Sequence, residues 1–305
     1  MTQGGTPGDL ILIDSVSTNS GIAVVYHSTS PTDASRNYQI VIENLVHDTS
    51  NPIAVDDNDT TTLGAVSSID TWVWGNVAPG GFQSGANSTT TRPSALLNGD
   101  KKFFTADAPT YAGYAIDQVV NVKGVNGTTV MGDGKTDDSA ALNTILAQNA
   151  AACKITYFPY GVYIVQDTLV IPPGSRLMGE AFAVISGAGD KFKDATNPVP
   201  IVQVGNSAVG TTGVAHISDM RFSVSEILPG AIIMEVNMAG NPGDVGIWNS
   251  LFTVGGTEDT SVSQCSADDV STCMAAFMSL HLTNSSSAYL QNTWFVLTHV
   301  IILLC

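Results

Sequence analysis

The chain is expected to be all-β, a right-handed parallel β-helix made of parts of two tandem solenoid domains with one short capping helix. Two observations carry that expectation. A loose pattern of an apolar residue, a polar Asp, Asn or Ser, and further apolar residues recurs as Ile13-Asp-Ser-Val16, Ile42-Glu-Asn-Leu-Val46, Ile217-Ser-Asp-Met-Arg-Phe222, Ile247-Trp-Asn-Ser-Leu-Phe252 and Leu290-Gln-Asn-Thr-Trp-Phe295. The first two copies stand 29 positions apart and the next pair 30, one solenoid coil of about 20–45 residues. Each coil supplies short strands whose inward residues bury against the coils above and below. Asn or Asp at the corner tolerates left-handed backbone and can bond to its stacked neighbour. The competing β-sandwich would show Asn-Gly hairpin signals between alternating strands. Asn98-Gly and Asn126-Gly do not sit in that context.

Taken in order, residues 1–84 read as the C-terminal coils of a first β-helix. Matching runs Gly21-Ile-Ala-Val24 and Pro52-Ile-Ala-Val55 lie beside the first two copies. Residues 85–120 read as an inter-domain strap whose Phe103, Phe104, Tyr111 and Tyr114 need a surface to pack on. Residues 121–295 read as the N-terminal cap and first coils of a second β-helix. In its Gly132-Asp133-Gly134-Lys-Thr136-Asp137-Asp138 segment, Thr136, Asp137 and Asp138 offer N-cap oxygens and negative charge to a helix. Ala141, Leu142, Ile145 and Leu146 then recur at helical spacing. That helix is expected to cover the open end of the following coils and shield their edges. Residues 296–305 are almost wholly apolar, depart from the coil pattern and read as an aberrant tail on a chain cut short.

Composition narrows function. Charged residues make up 12% of the 305, and 11 Lys and Arg against 27 Asp and Glu leave a net charge of −16. Nucleic acid and anionic membranes call for a basic surface, so both are excluded as partners, while a neutral polysaccharide remains compatible. The first residues have neither the basic nor the apolar region of a signal peptide, and no segment approaches the roughly 20 apolar residues of a membrane span. Sequons occur at Asn58, Asn87, Asn126 and Asn284. Cys265 and Cys273 flank a polar acidic loop and are compatible with either a local disulfide or two free thiols. No Cys and His spacing suggests zinc, and no metal or cofactor is expected.

Several residues carry alternative readings. Asp133, Asp137 and Asp138 suit a calcium cluster, but helix capping accounts for them better. Asp56, Asp57 and Asp59 suit a solvated loop. Trp72 and Trp74 share one face of a strand, placed either to stack on sugar rings or to pack under the strap. Glu43, Glu180, Glu226, Glu235 and Glu258 sit in no distinctive motif; Glu235 lies in the apolar run Ile232-Ile-Met-Glu-Val and alternates outward. The scattered histidines His27, His47, His216, His281 and His299 form no Ser-His-Asp arrangement.

Gly132-Asp-Gly-Lys-Thr-Asp-Asp-Ser and Tyr157-Phe-Pro-Tyr-Gly-Val-Tyr resemble the pectate-lyase-like β-helix superfamily. With Ser68-Ile-Asp-Thr-Trp-Val-Trp-Gly, Ile171-Pro-Pro-Gly-Ser-Arg-Leu-Met-Gly and Leu280-His-Leu-Thr-Asn-Ser-Ser-Ser-Ala-Tyr-Leu-Gln-Asn-Thr-Trp, the series is similar to the fungal exo-β-1,3-glucanases of glycoside hydrolase family 55. The resemblance implies two β-helices side by side, a β-1,3-glucan substrate between them, exo-acting glucose release with inversion, secretion, and a monomeric full-length form. It also implies that the catalytic acid and the water-positioning residues belong to coils outside this chain. No residue here is therefore assigned a catalytic role, and the chain is expected to be inactive alone. A polysaccharide lyase and a non-catalytic glycan-binding β-helix are the alternatives.

Overall fold

Short apolar strands that end at Asp, Asn or Gly corners leave backbone edges that a neighbour one coil away can satisfy. A computed structural model describes residues 10–26, 39–48, 50–76, 82–86, 92–254 and 274–297. The chain packs as two compact units that divide between Phe104 and Thr105, inside the stretch expected to be a strap.

In the first unit, β1 (Leu10–Ile13) and β2 (Val16–Ser17) both pair parallel with β4 (Ile40–His47), and β3 (Val24–Tyr26) pairs parallel with β5 (Ala54–Asp56). The register sets Leu12 against Ile42 and Ile13 against Glu43. Aligning Ile13 with Ile42 from the repeat is therefore one residue out. The physical reason is the two-residue strand period: Ile42 is wholly buried while Ile13 is 38% exposed, so matching them would turn one strand inside out. The corner residues behave as the repeat predicts. Asp14 and Asn44 both have φ of 52°, and Asn44 Nδ2 donates to Asp14 Oδ1 at 2.5 Å.

The parallel pattern then stops. β6 (Thr61–Leu63) runs antiparallel to β5, β7 (Ser68–Asn76) antiparallel to β4, and β8 (Phe82–Ala86) antiparallel to β7. This departs from an all-parallel expectation, and an antiparallel partner satisfies the edge of β4 as completely as a further coil would. Arg92 fastens the following segment to the corner: its guanidinium bonds Asp14 at 2.9 Å, Glu43, and the Lys101 carbonyl at 2.8 Å, and lies 4.3 Å over the Phe103 ring.

The second unit holds β9 (Val119–Asn121), β10 (Asp133–Asp137), α1 (Ser139–Ala151), β11 (Ile155–Phe158), β12 (Val162–Val165), β13 (Leu169–Ile171), β14 (Ser175–Gly187), β15 (Val199–Gly205), β16 (Ala215–Val224), β17 (Ala231–Asn237), β18 (Val245–Trp248), β19 (Leu251–Val254), β20 (Met278–Leu282), β21 (Tyr289–Gln291) and β22 (Trp294–Leu297). All its strand pairs are parallel. One ladder runs β9–β11–β14–β16–β18–β21, and a second runs β10–β12–β14–β16–β19–β22 along the other halves of the bent β14 and β16. A third sheet is β13–β15–β17–β20. Three faces stacked in register are the architecture of a parallel β-helix. Asp219, Asn249 and Asn292 hold the corner with φ of 47–59°, and Asn292 Nδ2 donates to Asn249 Oδ1 at 2.9 Å. Phe222 and Phe252, both buried, and the exposed Phe295 stack in register, with centroids 5.3 and 4.8 Å apart.

Helix α1 closes one end of this core. Leu142, Ile145 and Leu146 are buried in the core cluster. On the neighbouring side Asn143 acts as a substitute strand for β13: its amide donates to Thr168 O at 3.0 Å and its Oδ1 accepts Val170 N–H at 2.8 Å. The edge shielding expected of this helix therefore has a specific donor and acceptor.

Candidate functional site

The acidic segment before α1 is built for backbone hydrogen bonding. Asp138 stands at the helix N-cap, yet its side chain does not cap the helix. The carboxylate is 1% exposed and turns back to accept Met131 N–H at 2.8 Å and Gly132 N–H at 2.9 Å. Asp137 takes the capping role instead, accepting from Ser139 N at 3.0 Å and Gln166 N at 3.2 Å. Thr136 contributes no cap; its hydroxyl donates to Asp133, which also accepts Lys135 and Thr136 N–H. The expected division of labour among Thr136, Asp137 and Asp138 is thus corrected. The reason is that two glycine-turn N–H groups lie closer to Asp138 than the first helical turn does. Gly132, at φ of 57°, admits no side chain, because a Cβ there would meet Tyr163 at 2.7 Å. Gly134 is also left-handed, at φ of 76°. Backbone donors hold the Asp133 carboxyl below the usual carboxylate range. For Asp137, burial pushes upward but bonds from Ser139 and Gln166 outweigh it and lower the value.

The tryptophan pair lies on β7. Trp72 is 2% exposed and stacks on Trp74, 6.4 Å away; Trp74 in turn meets Tyr26 at 5.1 Å and Phe82 at 5.7 Å. Both rings pack against protein neighbours, with Trp72 buried and Trp74 half-buried. Asn58, Asn126 and Asn284 are exposed. Asn87, Cys265, Cys273, Glu258, His27, His299 and residues 298–305 of the apolar tail lie outside the described residues. Asp56 is buried, unlike the exposed Asp57 and Asp59, so the solvated-loop expectation fails there; it accepts Asn58 and Thr60 N–H, making the acidic loop a self-bonded turn.

The described glutamates are each held by a structural partner. Glu43 pairs with Arg92, Glu180 accepts Tyr160 N–H at 3.2 Å, and Glu226 accepts Gly189 N–H at 2.5 Å. Glu235 does point outward, between Gln203 Nε2 at 3.1 Å and His281 Nδ1 at 2.9 Å.

One grouping escaped sequence reasoning. On the outer face of the first ladder, Arg176, His216, Gly246 and Tyr289 stand in register on four successive coils. Gly246 is the vacancy that admits an indole: a Cβ there would lie 2.0 Å from the Trp248 ring. Trp248 fills it, edge-on to His216 at 5.3 Å and 5.9 Å from Tyr289, and its Nε1 donates to Ala106 O at 3.0 Å. The segment after Thr105 lies over the same face. Tyr111 packs at 6.4 Å from His216 and 5.5 Å from Tyr114, whose ring lies 5.7 Å from the Arg176 guanidinium carbon. Tyr111 and Tyr114 thus find the surface the sequence demanded.

Within this row the Tyr111 hydroxyl and His216 Nδ1 are buried with no hydrogen-bond partner among the described residues. Burial, with Arg176 nearby, pulls the His216 imidazolium below its usual value, so the ring is neutral at neutral pH. Burial likewise pushes the Tyr111 phenol up. Two buried polar atoms between aromatic faces suit an ordered water. The signal was present in the repeat, since His216, Gly246 and Tyr289 each immediately precede the first apolar residue of a copy.

The family model described as rhamnogalacturonase A/epimerase, pectate lyase-like, matches residues 119–214. A glucan endo-1,3-β-glucosidase of Trichoderma harzianum is 40% identical over 299 residues, covering 96% of this chain and 38% of its own length. A glucan 1,3-β-glucosidase of Cochliobolus carbonum is 35% identical, with 97% of this chain and 39% of its length covered. A non-secreted LysM effector of Penicillium expansum is 34% identical over 96% of this chain and 21% of its own. The chain therefore spans about two fifths of the two glucosidases it matches. Identity sustained along nearly the whole chain, on stacked parallel coils, makes it a relative of these glucan 1,3-β-glucosidases built on a pectate-lyase-like β-helix.

Proposed function

We propose that this chain is part of a secreted enzyme acting on β-1,3-glucan, and that alone it binds the polysaccharide without cleaving it. The observation that carries the first half is the 40% identity across 96% of the chain to a protein named a glucan endo-1,3-β-glucosidase. A net charge of −16 supports the same choice over anionic polymers.

The second half rests on the carboxylates. Inverting hydrolysis uses an acid and a base about 6.5–9.5 Å apart, the acid with a raised pKa. Among the described residues, the carboxylates that are shifted are lowered, and the described glutamates are tied to neighbouring donors. The test is incubation of the 305-residue chain with laminarin and with insoluble β-1,3-glucan. Retention on the insoluble polymer with no release of glucose or oligosaccharide is expected. Sugar release overturns the inactivity, and failure to be retained overturns the binding.

A further inference from the structure

A sugar-sized site lies away from the His216 row, at the left-handed corner of the second unit. There Phe182, Asn249, Leu251, Asn292 and Trp294 line a cavity of about 250 Å³. Trp294 is 62% exposed and Phe182 44%. Two large aromatic side chains left to solvent in the lining of one cavity are unusual in a packed solenoid. Trp294 does not swing freely, because its Nε1 donates to Asn292 Oδ1 at 3.2 Å. Asn292 is held in turn by its bond to Asn249 Oδ1 at 2.9 Å. The indole is therefore oriented before any ligand arrives, which lowers the ordering cost of binding.

We propose that this corner is a binding site for a hexopyranose unit of a neutral glucan, distinct from the row around His216. A pyranose has an apolar C–H face and a rim of hydroxyls. The rings of Trp294 and Phe182 and the Leu251 side chain match the face, and the amide groups of Asn249 and Asn292 match the rim. None of the five lining residues is charged, so nothing in the wall selects an ionised sugar. The corner backbone reinforces the reading: Phe182 sits at φ of 60°, a costly conformation for a bulky residue. Naming the ligand a β-1,3-glucan rests on the function proposed above; the site itself does not.

The experiment is isothermal titration of the chain with laminarihexaose and, separately, cellohexaose, using wild type, Trp294→Ala, Phe182→Ala and Trp294→Tyr. Acrylamide quenching supplies a second readout, since Trp294 is 62% exposed while Trp72 and Trp248 are buried and Trp74 is half-buried; the signal that Trp294→Ala removes is the one that reports. Expected results are an affinity loss of about tenfold or more in each alanine variant, retention in Trp294→Tyr, and sugar-dependent protection of wild-type fluorescence from quenching. That protection decides the matter even if an alanine variant fails to fold. If wild type binds laminarihexaose but the alanine variants bind equally well and quenching is unaltered, the corner site is overturned while the proposed function stands. If only cellohexaose binds, and Trp294→Ala abolishes it, the corner stands and the β-1,3 reading falls. If neither sugar binds, both fall.

Discussion

Replacing Asp138 separates the role the structure gives it from that of an ordinary helix cap. The buried carboxylate holds two backbone donors, Met131 N at 2.8 Å and Gly132 N at 2.9 Å. A hydrogen bond to a charged group contributes about 1.5–3 kcal/mol. Asp138→Asn keeps one acceptor oxygen but turns an amide N–H₂ toward the second donor, so one bond is lost, at about 1.5–3 kcal/mol. Asp138→Ala loses both, at about 3–6 kcal/mol. For a unit of this size, 1 kcal/mol moves the melting temperature by about 2–4 °C. The asparagine variant should then melt about 3–12 °C below wild type and the alanine variant lower still. Asp133→Asn is the control: the Asp133 carboxylate accepts three bonds against two at Asp138, but it is exposed, so water replaces what is lost and the change should stay within about 1 kcal/mol. Thermal unfolding followed by circular dichroism measures all three. Equal shifts for Asp133→Asn and Asp138→Asn, or an Asp138→Ala shift within about 2 °C of wild type, would refute the reasoning.

Three further outcomes follow from the same geometry. Gly246→Ala forces a Cβ to within 2.0 Å of the Trp248 ring, so overpacking should cost about 1–3 kcal/mol and expose Tyr111 and Tyr114 to chymotrypsin; unchanged melting and cleavage would count against a tightly seated indole. Asn44→Ala should destabilise more than Asn44→Gly, by about 1 kcal/mol in chemical denaturation, because glycine loses the bond to Asp14 but tolerates φ of 52°; equal effects would remove the left-handed corner from the argument. His216 has a lowered pKa in the folded state, so its contribution to stability is complete above the unfolded value of about 6.5 and is lost as pH falls through the folded one. His216→Gln should flatten that part of the melting-temperature profile between about pH 7 and 5, and an unaltered profile would place the titration elsewhere.

How far the fold was legible depends on which physical feature wrote the signal. Corners were legible because left-handed backbone favours Gly, Asn and Asp, and Asp14, Asn44, Asp219, Asn249 and Asn292 all stand at such positions. The helix was legible because Leu142, Ile145 and Leu146 repeat at its period. Register was legible only to within a residue, since spacing alone aligned Ile13 with Ile42 and burial decided for Leu12. The antiparallel turn of β7 was not legible at all. Ser68–Asn76 carries the same alternating apolar text whichever way it runs, and direction is set by the edge it must satisfy on β4.

The candidate sites follow a different logic. Chemistry-bearing residues were sought as motifs along the chain, which drew attention to aspartates before α1 and tryptophans on β7 that turn out to bond and pack internally. In a solenoid, neighbours in space are about one coil apart in sequence, and side chains on one face form columns about 4.8 Å apart. Arg176, His216, Gly246 and Tyr289 make such a column, and each is unremarkable within its own segment. Only the glycine, which leaves room for an indole two residues on, explains why a tryptophan can be seated among them. The corner column, Asn249 and Asn292 with Phe182 and Trp294 beside it, is the same principle one face further round. A ligand that bridges several coils is recognised by columns, so its binding residues have no local motif by which single-sequence reading could find them. Coil-by-coil substitution down each column is therefore the discriminating design. Loss of glucan affinity that tracks the His216 column alone assigns recognition to that face; loss that also tracks Trp294 requires both.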